Sequence, residues 1–425
     1  MRIADDGLNC LLIFKFKLGF VGGDCYRTNI IGEKMKKLVY LSVALSSMLL
    51  ADGFDYKGNI GIESSYAKHD IEGKRDKQNA LRLELELKQK TDNGQFVFNG
   101  KAIVDNDDEE RRYFDATDLY YKHEFENSDL LIGRNTRFWG AMEFYNHTDN
   151  FNTKDWLDNP FDYDAKLGAN NIAYTQYFDN SEFSIIAKVH ETGQKVQDQK
   201  SVNNFLPPIY SDELVTQKSE DRPTVYLKYS GSAEDTQLDY SLIYQNGYDE
   251  QRYLAPVGGE LRQHAYWVDK VMAYATLVDA ETIYKTELAY TESDDEKVSN
   301  YSQLSLGVEH TLYGVWGKSD LGLLAEYYRY DAYDEGKLEA KDFGNLFADD
   351  VMLGFRLSVN DSADSDVLAG IAIDNENQEK LIFAEYNTRL VEKYKLKLSY
   401  QHLAPEDGSA FQEVDLGKIE FGYYF

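Results

Sequence analysis

The sequence predicts an all-β protein, a transmembrane antiparallel up-and-down β-barrel of about 18 strands with long external loops and short periplasmic turns. Three observations lead to this fold. Apolar and polar residues alternate with a period of two along most of the chain. The predicted connections alternate between short and long, which is typical of membrane barrels. The composition includes 33 Tyr and only 6 Pro, and this favours strands and membrane interfaces.

The mean hydropathy of −0.55 does not oppose this prediction. A barrel strand alternates outward apolar with inward polar residues, so the two contributions cancel in an average. No apolar stretch of about 18 residues follows the N-terminal region, which excludes helical membrane spans there.

The N-terminal region predicts export. Residues 35–51 have the basic start and the short apolar run of a secretory signal peptide, with Lys36 and Lys37 before Leu38–Leu50. Residues 1–34 show no strand pattern, and we interpret them as a mis-assigned upstream start; a genuine extension is the alternative. Both cysteines, Cys10 and Cys25, lie in this segment, so the predicted barrel, residues 52–425, contains none. A cysteine-free chain suits an oxidising compartment.

The clearest strand is LRLELELK, in which the leucines at 81, 83, 85 and 87 share one face and charged residues share the other. An Asn-Gly pair at 93–94 then predicts a hairpin turn. The same alternation continues to the end of the chain. The predicted strands are 56–67, 79–90, 96–104, 118–126, 130–138, 172–178, 183–190, 224–230, 237–245, 265–277, 282–291, 301–310, 320–330, 350–359, 366–373, 380–388, 394–402 and 415–425.

The predicted connections begin with a long one at 68–78 and then alternate, with two exceptions: 311–319 is longer than the other turns and 374–379 is shorter than the other loops. An even number of strands brings both ends of the barrel to the periplasmic side.

One face of each strand suits lipid. VMLGFRLSV presents apolar residues outward from Val351 to Val359, and Arg356 falls on the other face. YKLKLSY has tyrosines at both ends and places Lys395 and Lys397 inward. Lysine or arginine facing lipid at mid-membrane would cost about 2–4 kcal/mol each, whereas a wet lumen accepts them. A soluble β-protein is the alternative, but it would not need an apolar face around the whole sheet.

The chain ends in LGKIEFGYYF, in which Ile419, Phe421, Tyr423 and Phe425 share one face. This pattern resembles the C-terminal signal of Gram-negative outer-membrane proteins, which the barrel assembly machinery recognises. With the signal peptide and the strand number, the chain resembles an outer-membrane porin of the substrate-selective type with about eighteen strands, the maltoporin, carboxylate-channel and alginate-porin kinds. The resemblance implies location in the cell outer membrane. It also implies a final strand that pairs with the first, because an open sheet edge is not tolerated in hydrocarbon.

The loop 139–171 is the third long connection, and GRNTRFWGAMEFYNHTDNFNTKDWLDNP resembles the third loop of such channels, which folds into the lumen and narrows it. Its aromatic residues would form a large exposed apolar patch in water, so we expect the loop to pack against other parts of the protein. A lid packed on neighbouring loops is the alternative. The candidates for a constriction are Trp139, Asp155, Trp156 and Asp158.

The predicted inward faces carry charges of both signs, which in a lumen would create a transverse field that orients polar solutes. Arg134 and Arg137 have opposite parity, so one of them should face the pore if the strand continues that far. A solvated wall with paired charges is the alternative for each residue. The pore-lining candidates are Arg82, Glu84, Glu86, Lys101, Lys122, Arg134, Arg137, Lys228, Asp239, Glu326, Arg356, Lys395 and Lys397.

The net charge of −29 opposes binding to nucleic acid, whose phosphates it would repel. The acidic stretch 105–110 lacks the spacing of a calcium loop, and we interpret it as a hydrated surface with at most loose divalent bridging to lipopolysaccharide. No histidine lies in a hydrolase or metalloprotease motif, so no enzyme, metal or cofactor is predicted.

The functional hypothesis is a passive channel for small polar or charged solutes. The acidic excess favours cations if it lies in the lumen, and a channel for anionic solutes lined by Arg and Lys is the variant. A non-conducting barrel, acting as an adhesin or structural scaffold, is the alternative. The expected partners are outer-membrane lipid, lipopolysaccharide, the barrel assembly machinery and the solutes; a monomer and a homotrimer both suit this length.

Overall fold

The structure is a computed structural model that describes residues 54–425 except 69–72, 161, 163, 205, 207–208, 341–346, 377–378 and 406–412. The upstream segment 1–34 and the signal peptide 35–51 therefore lie outside the described residues. Among the residues described, no helix combines the length and the apolar character needed to cross a membrane.

The described residues form 21 strands and one short 3-10 helix, Glu234–Thr236. In chain order the strands are β1 (Asp55–Lys68), β2 (Lys77–Thr91), β3 (Gly94–Asp105), β4 (Tyr113–Glu124), β5 (Ser128–Asn135), β6 (Ala169–Tyr177), β7 (Ser181–Lys188), β8 (Tyr210–Thr216), β9 (Thr224–Ala233), β10 (Leu238–Tyr248), β11 (Tyr253–Val257), β12 (Glu260–Ala265), β13 (Trp267–Asp279), β14 (Thr282–Ser293), β15 (Tyr301–Trp316), β16 (Ser319–Ala332), β17 (Asp349–Ser358), β18 (Asp366–Asp374), β19 (Lys380–Val391), β20 (Tyr394–Ala404) and β21 (Val414–Tyr424).

Eighteen of these described strands form one closed antiparallel sheet in which each strand pairs with its neighbours in the chain. The remaining three, β8, β11 and β12, form a separate small sheet within the connections, with β8 parallel to β12. The pairing of β1 with β21 closes the barrel. Gly58 and Phe425 exchange two backbone hydrogen bonds of 2.9 and 3.0 Å beyond the end of β21.

Deleting Phe425 should reduce the amount of assembled barrel, because the closing seam loses both hydrogen bonds to Gly58. The measurement is the fraction of unheated protein that migrates as the fast, folded band on a gel after extraction from outer membranes. Phe425→Tyr is the matched control, since it keeps the backbone pair. A normal level of folded band after the deletion would contradict the prediction.

The outer face of the barrel is apolar. Ile132 on β5, Leu288 on β14 and Leu353 on β17 each leave about half of their surface exposed, although they are large and hydrophobic. Such a surface suits contact with lipid. Aromatic side chains lie towards both ends of the strands, as in the girdles of membrane barrels. Examples are Tyr56, Trp316 and Tyr394 near the turns, and Tyr66, Tyr333 and Tyr400 near the loops.

Each of the eighteen predicted strands overlaps one barrel strand of the structure. One connection differs from the prediction: β15 continues to Trp316, so only 317–318 separate it from β16 and the turn is short. The prediction missed β8, β11 and β12. The other connections alternate between short turns and long loops as predicted, and the connection predicted to be the short exception lies at 375–379.

Three connections contribute contacts to the lumen, namely loop 2 (106–112), loop 3 (136–168) and loop 4 (189–223, which includes β8), while β11 and β12 lie in the connection 249–266. Loop 3 begins after β5 and packs against the inner face of one half of the barrel. Its Trp139 and Phe151 form a buried cluster with inward residues of β5–β14, among them Tyr226. That half of the lumen is therefore filled.

Candidate functional site

The tip of loop 3 is fixed across the lumen by two carboxylates. Glu287 on β14 accepts hydrogen bonds from the backbone N–H groups of Ala141 (2.7 Å), Met142 (3.4 Å) and Thr148 (3.2 Å). Backbone N–H groups in a loop that is removed from water need such acceptors. The side chain of Glu287 therefore holds both ends of the tip.

Glu326 on β16 accepts hydrogen bonds from the next two N–H groups, those of Glu143 (2.7 Å) and Phe144 (3.3 Å). The hydroxyl of Tyr328, two residues further on, accepts from the N–H of Tyr145 at 3.2 Å. The side chains of Glu143 and Phe144 consequently stand at fixed places beside the open part of the lumen.

The second half of loop 3 is anchored to the wall by an ion-pair network. Asp158 accepts from Arg82 on β2 at 3.0 Å and from Lys101 on β3 at 2.8 Å. Lys101 also contacts Asp155 at 2.7 Å, and the hydroxyl of Tyr113 donates to Asp155 at 2.9 Å. Burial alone would raise the pKa of Asp158, but the positive charges of Arg82 and Lys101 hold it well below its usual range.

Loop 2 stabilises this network through the side chain of Arg111. Arg111 is fully buried and bonds Glu63 on β1 and Asp105, both at 2.7 Å. Its Nε donates to the carbonyl of Leu157 in loop 3 at 2.9 Å. The hydrated surface predicted for 105–110 is therefore wrong for Asp105 and Asp108, which are buried because they accept hydrogen bonds from Arg111 and from backbone N–H groups.

The other half of the barrel contains a cavity of about 470 Å³ between loop 3 and the inner faces of β17–β21 and β2. Apolar and charged side chains share its lining. Of the described residues that line it, seven are acidic and three are basic. The acidic ones are Glu84, Glu143, Asp158, Asp162, Asp164, Glu385 and Glu420, and the basic ones are Arg82, Lys397 and Lys418.

Two further cavities follow towards the periplasmic turns. One, of about 320 Å³, shares Arg82, Lys397 and Glu420 with the first and reaches Asp364 and Arg389. Another, of about 580 Å³, shares Glu84 with the first and reaches the turn at 392–393. Because neighbouring cavities share side chains, they lie next to one another along this side of the barrel.

The basic groups of the first cavity all have acidic partners. Arg82 contacts Asp158, Glu63 and Glu84; Lys397 contacts Glu385 at 2.7 Å; Lys418 contacts Glu63 and Glu420, each at 3.6 Å. Within the described part of the chain, Asp162 and Asp164 have no ion pair. The lining is therefore left with a negative excess at the edge of loop 3.

Ten of the thirteen predicted pore-lining residues fall into three groups. Arg82, Glu84, Lys395 and Lys397 line the first two cavities, and Glu86 and Lys101 line the third. Arg356 has inward parity on β17 and forms an ion pair with Glu143 of loop 3. The inward residues of the filled half have other contacts: Lys122 pairs with Glu124 at 3.0 Å, Lys228 with Glu182 at 3.5 Å, and Asp239 accepts from Ser232.

We expected either Arg134 or Arg137 to face the pore if the strand continued that far, but β5 ends at Asn135. Arg134 lies opposite the outward Leu119, and its guanidinium donates to Asp115 at 2.7 Å and to the carbonyl of Ala116 at 2.8 Å. Arg137 follows the end of β5, within loop 3, and its guanidinium stacks over Phe151 at 5.3 Å. Glu326 does not line the cavity; its carboxylate accepts hydrogen bonds from the backbone of loop 3.

Of the four constriction candidates, only Asp158 lines the cavity. The side chains of Trp139, Asp155 and Trp156 are buried between loop 3 and the rest of the protein. The two tryptophans lie in apolar clusters, and Asp155 lies in the ion-pair network. Two further aromatic residues of loop 3, Phe161 and Tyr163, lie outside the described residues.

Several important residues were missed, namely Glu63, Arg111, Glu143, Glu287, Glu385, Lys418 and Glu420. The sequence contained a signal for two of them. Lys418 and Glu420 alternate with Ile419 and Phe421, so the apolar face of β21 already assigns both to the lumen. Glu287 alternates in the same way with Leu288 on β14, but nothing in the sequence links it to loop 3.

Loop 4 lies over the external ends of β1–β3. The hydroxyl of Ser201 donates to Gln78 at 2.9 Å, and the N–H of Asp198 donates to Asp108 at 3.1 Å. Val202 and Leu206 belong to one apolar cluster with inward residues near the external ends of β20 and β21. This cluster narrows the external approach to the first cavity.

One group of described side chains has the composition of a metal site. Donor atoms of His402, Glu413 and Asp415 lie within 4.8 Å of one another at the external end of β20 and β21. His402 Nδ1 is already 2.9 Å from Asp415, and Glu413 is exposed. The group lies on the outward parity of both strands and does not line the cavities.

Several solved structures have a similar fold. OccK11 (OpdR) of Pseudomonas aeruginosa aligns with a TM-score of 0.54 and 9% identity, covering 88% of this chain and 96% of that one. OccAB1 of Acinetobacter baumannii has a TM-score of 0.53 and 10% identity, covering 88% and 98%. OccK8 (OprE) of Pseudomonas aeruginosa has a TM-score of 0.51 and 9% identity, with the same coverage of 88% and 98%.

No protein-family model matches the chain, and no curated protein matches it in sequence. At about one residue in ten identical, the solved structures establish the fold alone. The predicted transmembrane barrel of about 18 strands is confirmed. The fold and the apolar outer belt fit the predicted location in the Gram-negative outer membrane.

Proposed function

We propose that the barrel is a water-filled pore for passive diffusion of small polar or charged solutes, narrowed by loop 3 and selective for cations. The observation that carries this proposal is the cavity of about 470 Å³ beside loop 3 and its continuation along the wall. A loop fixed at both ends leaves a defined opening rather than a variable one.

The preference for cations rests on the lining. Seven acidic groups face three basic groups in the first cavity, and each of those basic groups is engaged by a carboxylate. A ring of unbalanced acidic side chains favours cations over anions. The basic groups available to an anion in this cavity are already neutralised by protein partners.

A non-conducting barrel, acting as an adhesin or scaffold, is the second candidate. One observation favours it: Val202 and Leu206 of loop 4 pack in an apolar cluster at the external side of the lumen. For either candidate we also propose contact with outer-membrane lipid and lipopolysaccharide, insertion by the barrel assembly machinery, and a monomer or a homotrimer as the oligomeric state.

Protein extracted from outer membranes should give discrete conductance steps in a planar bilayer. Under a potassium chloride gradient, the reversal potential should have the sign of a cation-selective pore, because Asp162 and Asp164 add negative charge without an ion-pair partner in the described structure. Steps with the opposite sign would contradict the selectivity. A folded barrel without steps would favour the second candidate.

A further inference from the structure

We propose that the first cavity is a binding site for organic ammonium ions that carry an aryl or alkyl group. The inference rests on the proposed pore and names the solute class that its narrowest part would take. The cavity has one apolar surface, which would contact the aryl or alkyl group, and one acidic surface, which would contact the ammonium group.

The apolar surface lies on the wall and on the loop 3 tip. Phe144 of loop 3 and Phe383 of β19 meet edge to face, with ring centroids 5.0 Å apart, and both are only partly buried. Leu368 of β18 is also partly exposed beside them. Apolar surface in a wet lumen costs free energy that an apolar solute group would recover by covering it.

The acidic surface faces the same space from loop 3. Asp162 and Asp164 are exposed, and both line the cavity. Partial desolvation, followed by the negative charge of Asp162, raises the pKa of Asp164, while Lys166 and Lys154 act in the opposite direction. Both lysines pair with Asp149, at 2.5 and 3.6 Å, so neither Asp162 nor Asp164 has an ion pair among the described residues, and an ammonium group is electrostatically favoured beside them.

The same lining disfavours carboxylates. Arg82 is bonded by Asp158 at 3.0 Å, and Lys397 by Glu385 at 2.7 Å. A carboxylate solute would have to displace one of these internal partners and would also meet the excess of acidic groups. Phe144 and Phe383 add a further preference for cations, since aromatic faces attract ammonium groups.

The test uses the protein extracted from outer membranes, in planar bilayers that carry a potassium current. Benzylammonium chloride should interrupt the current at concentrations about tenfold lower than methylammonium chloride, because only the first covers the apolar surface. Sodium benzoate, of the same size and opposite charge, should leave the current unchanged.

Three variants separate the two surfaces. Phe383→Ala should remove most of the difference between benzylammonium and methylammonium. The double variant Asp162→Asn, Asp164→Asn should weaken the block by both amines. The control Asp235→Asn, in the short helix at a periplasmic turn, changes an exposed acid far from the cavity lining and should behave as the unmodified protein.

The outcomes distinguish the two proposals. Normal potassium steps with equal block by benzylammonium, methylammonium and benzoate would overturn the inference and leave the pore standing. Loss of the amine preference in Asp235→Asn as well as in the cavity variants would also overturn it. Absence of any steps would overturn the pore and, with it, the binding site.

Discussion

Single-channel conductance should rise when Glu287 and Glu326 are both replaced by alanine. The double variant leaves five backbone N–H groups of the loop 3 tip without their acceptors. A buried donor without a partner costs about 1–3 kcal/mol, so the tip should leave the lumen and expose these groups to water. Glu143 and Phe144 would move with it, and the cavity that they line would widen. Planar-bilayer recording measures the change directly.

Glu309→Ala is the matched control for this variant. Glu309 is an inward carboxylate on β15, between the two strands concerned, but it pairs with Lys285 at 3.1 Å and has no hydrogen bond to loop 3 among the described contacts. We expect its conductance to stay close to that of the unmodified protein. Unchanged conductance in the double variant would show that the rest of loop 3 suffices to hold the tip.

Replacing Arg111 by methionine should destabilise the barrel by about 3–5 kcal/mol, the usual cost of removing one partner of a buried ion pair. Arg111 is fully buried between Glu63 and Asp105, and methionine fills a similar volume without a charge. Both carboxylates would then lose a partner in a dry environment. The measurement is the temperature at which the fast, folded gel band converts to the slow, unfolded one.

Two further variants test the electrostatic reason. Arg112→Met makes the same chemical change at the next residue, whose ion pair with Glu109 is exposed and 3.9 Å long, so its transition should shift much less. Adding Asp105→Asn to Arg111→Met should recover part of the stability, because Arg111 is the one ion-pair partner of Asp105 among the described residues, whereas Glu63 keeps Arg82 and Lys418. A double variant as unstable as the single one would point to lost packing instead.

The barrel could be predicted from the sequence because its strands repeat one rule. Lipid requires apolar residues at every second position, so Leu353 or Phe421 identifies the face of its whole strand. The small sheet does not follow this rule. β8 pairs with β12 across about fifty residues of intervening chain, and its short segment YSDELVT has no continuous apolar face.

The candidate site could be predicted only in part, for a related reason. The parity of Lys397 or Arg82 shows that each side chain points inward, but it does not show what each one meets there. The partners come from loop 3, whose path across the lumen is fixed by Glu287 and Glu326 on distant strands. Asp155 and Asp158 are therefore alike in sequence and both are buried, yet only Asp158 lines the cavity.

The eccentric position of the cavities divides the barrel into two parts with different constraints on sequence change. Inward positions of the filled half, such as Tyr226 and Ile243, contact loop 3 and other core residues, so substitutions there change the stability of the fold. Positions such as Leu368 and Glu385 line the cavity, so in the proposed pore substitutions there should alter which solutes pass, with little effect on packing. In such a pore, solute preference could change between related sequences while the packed half of the barrel stays the same.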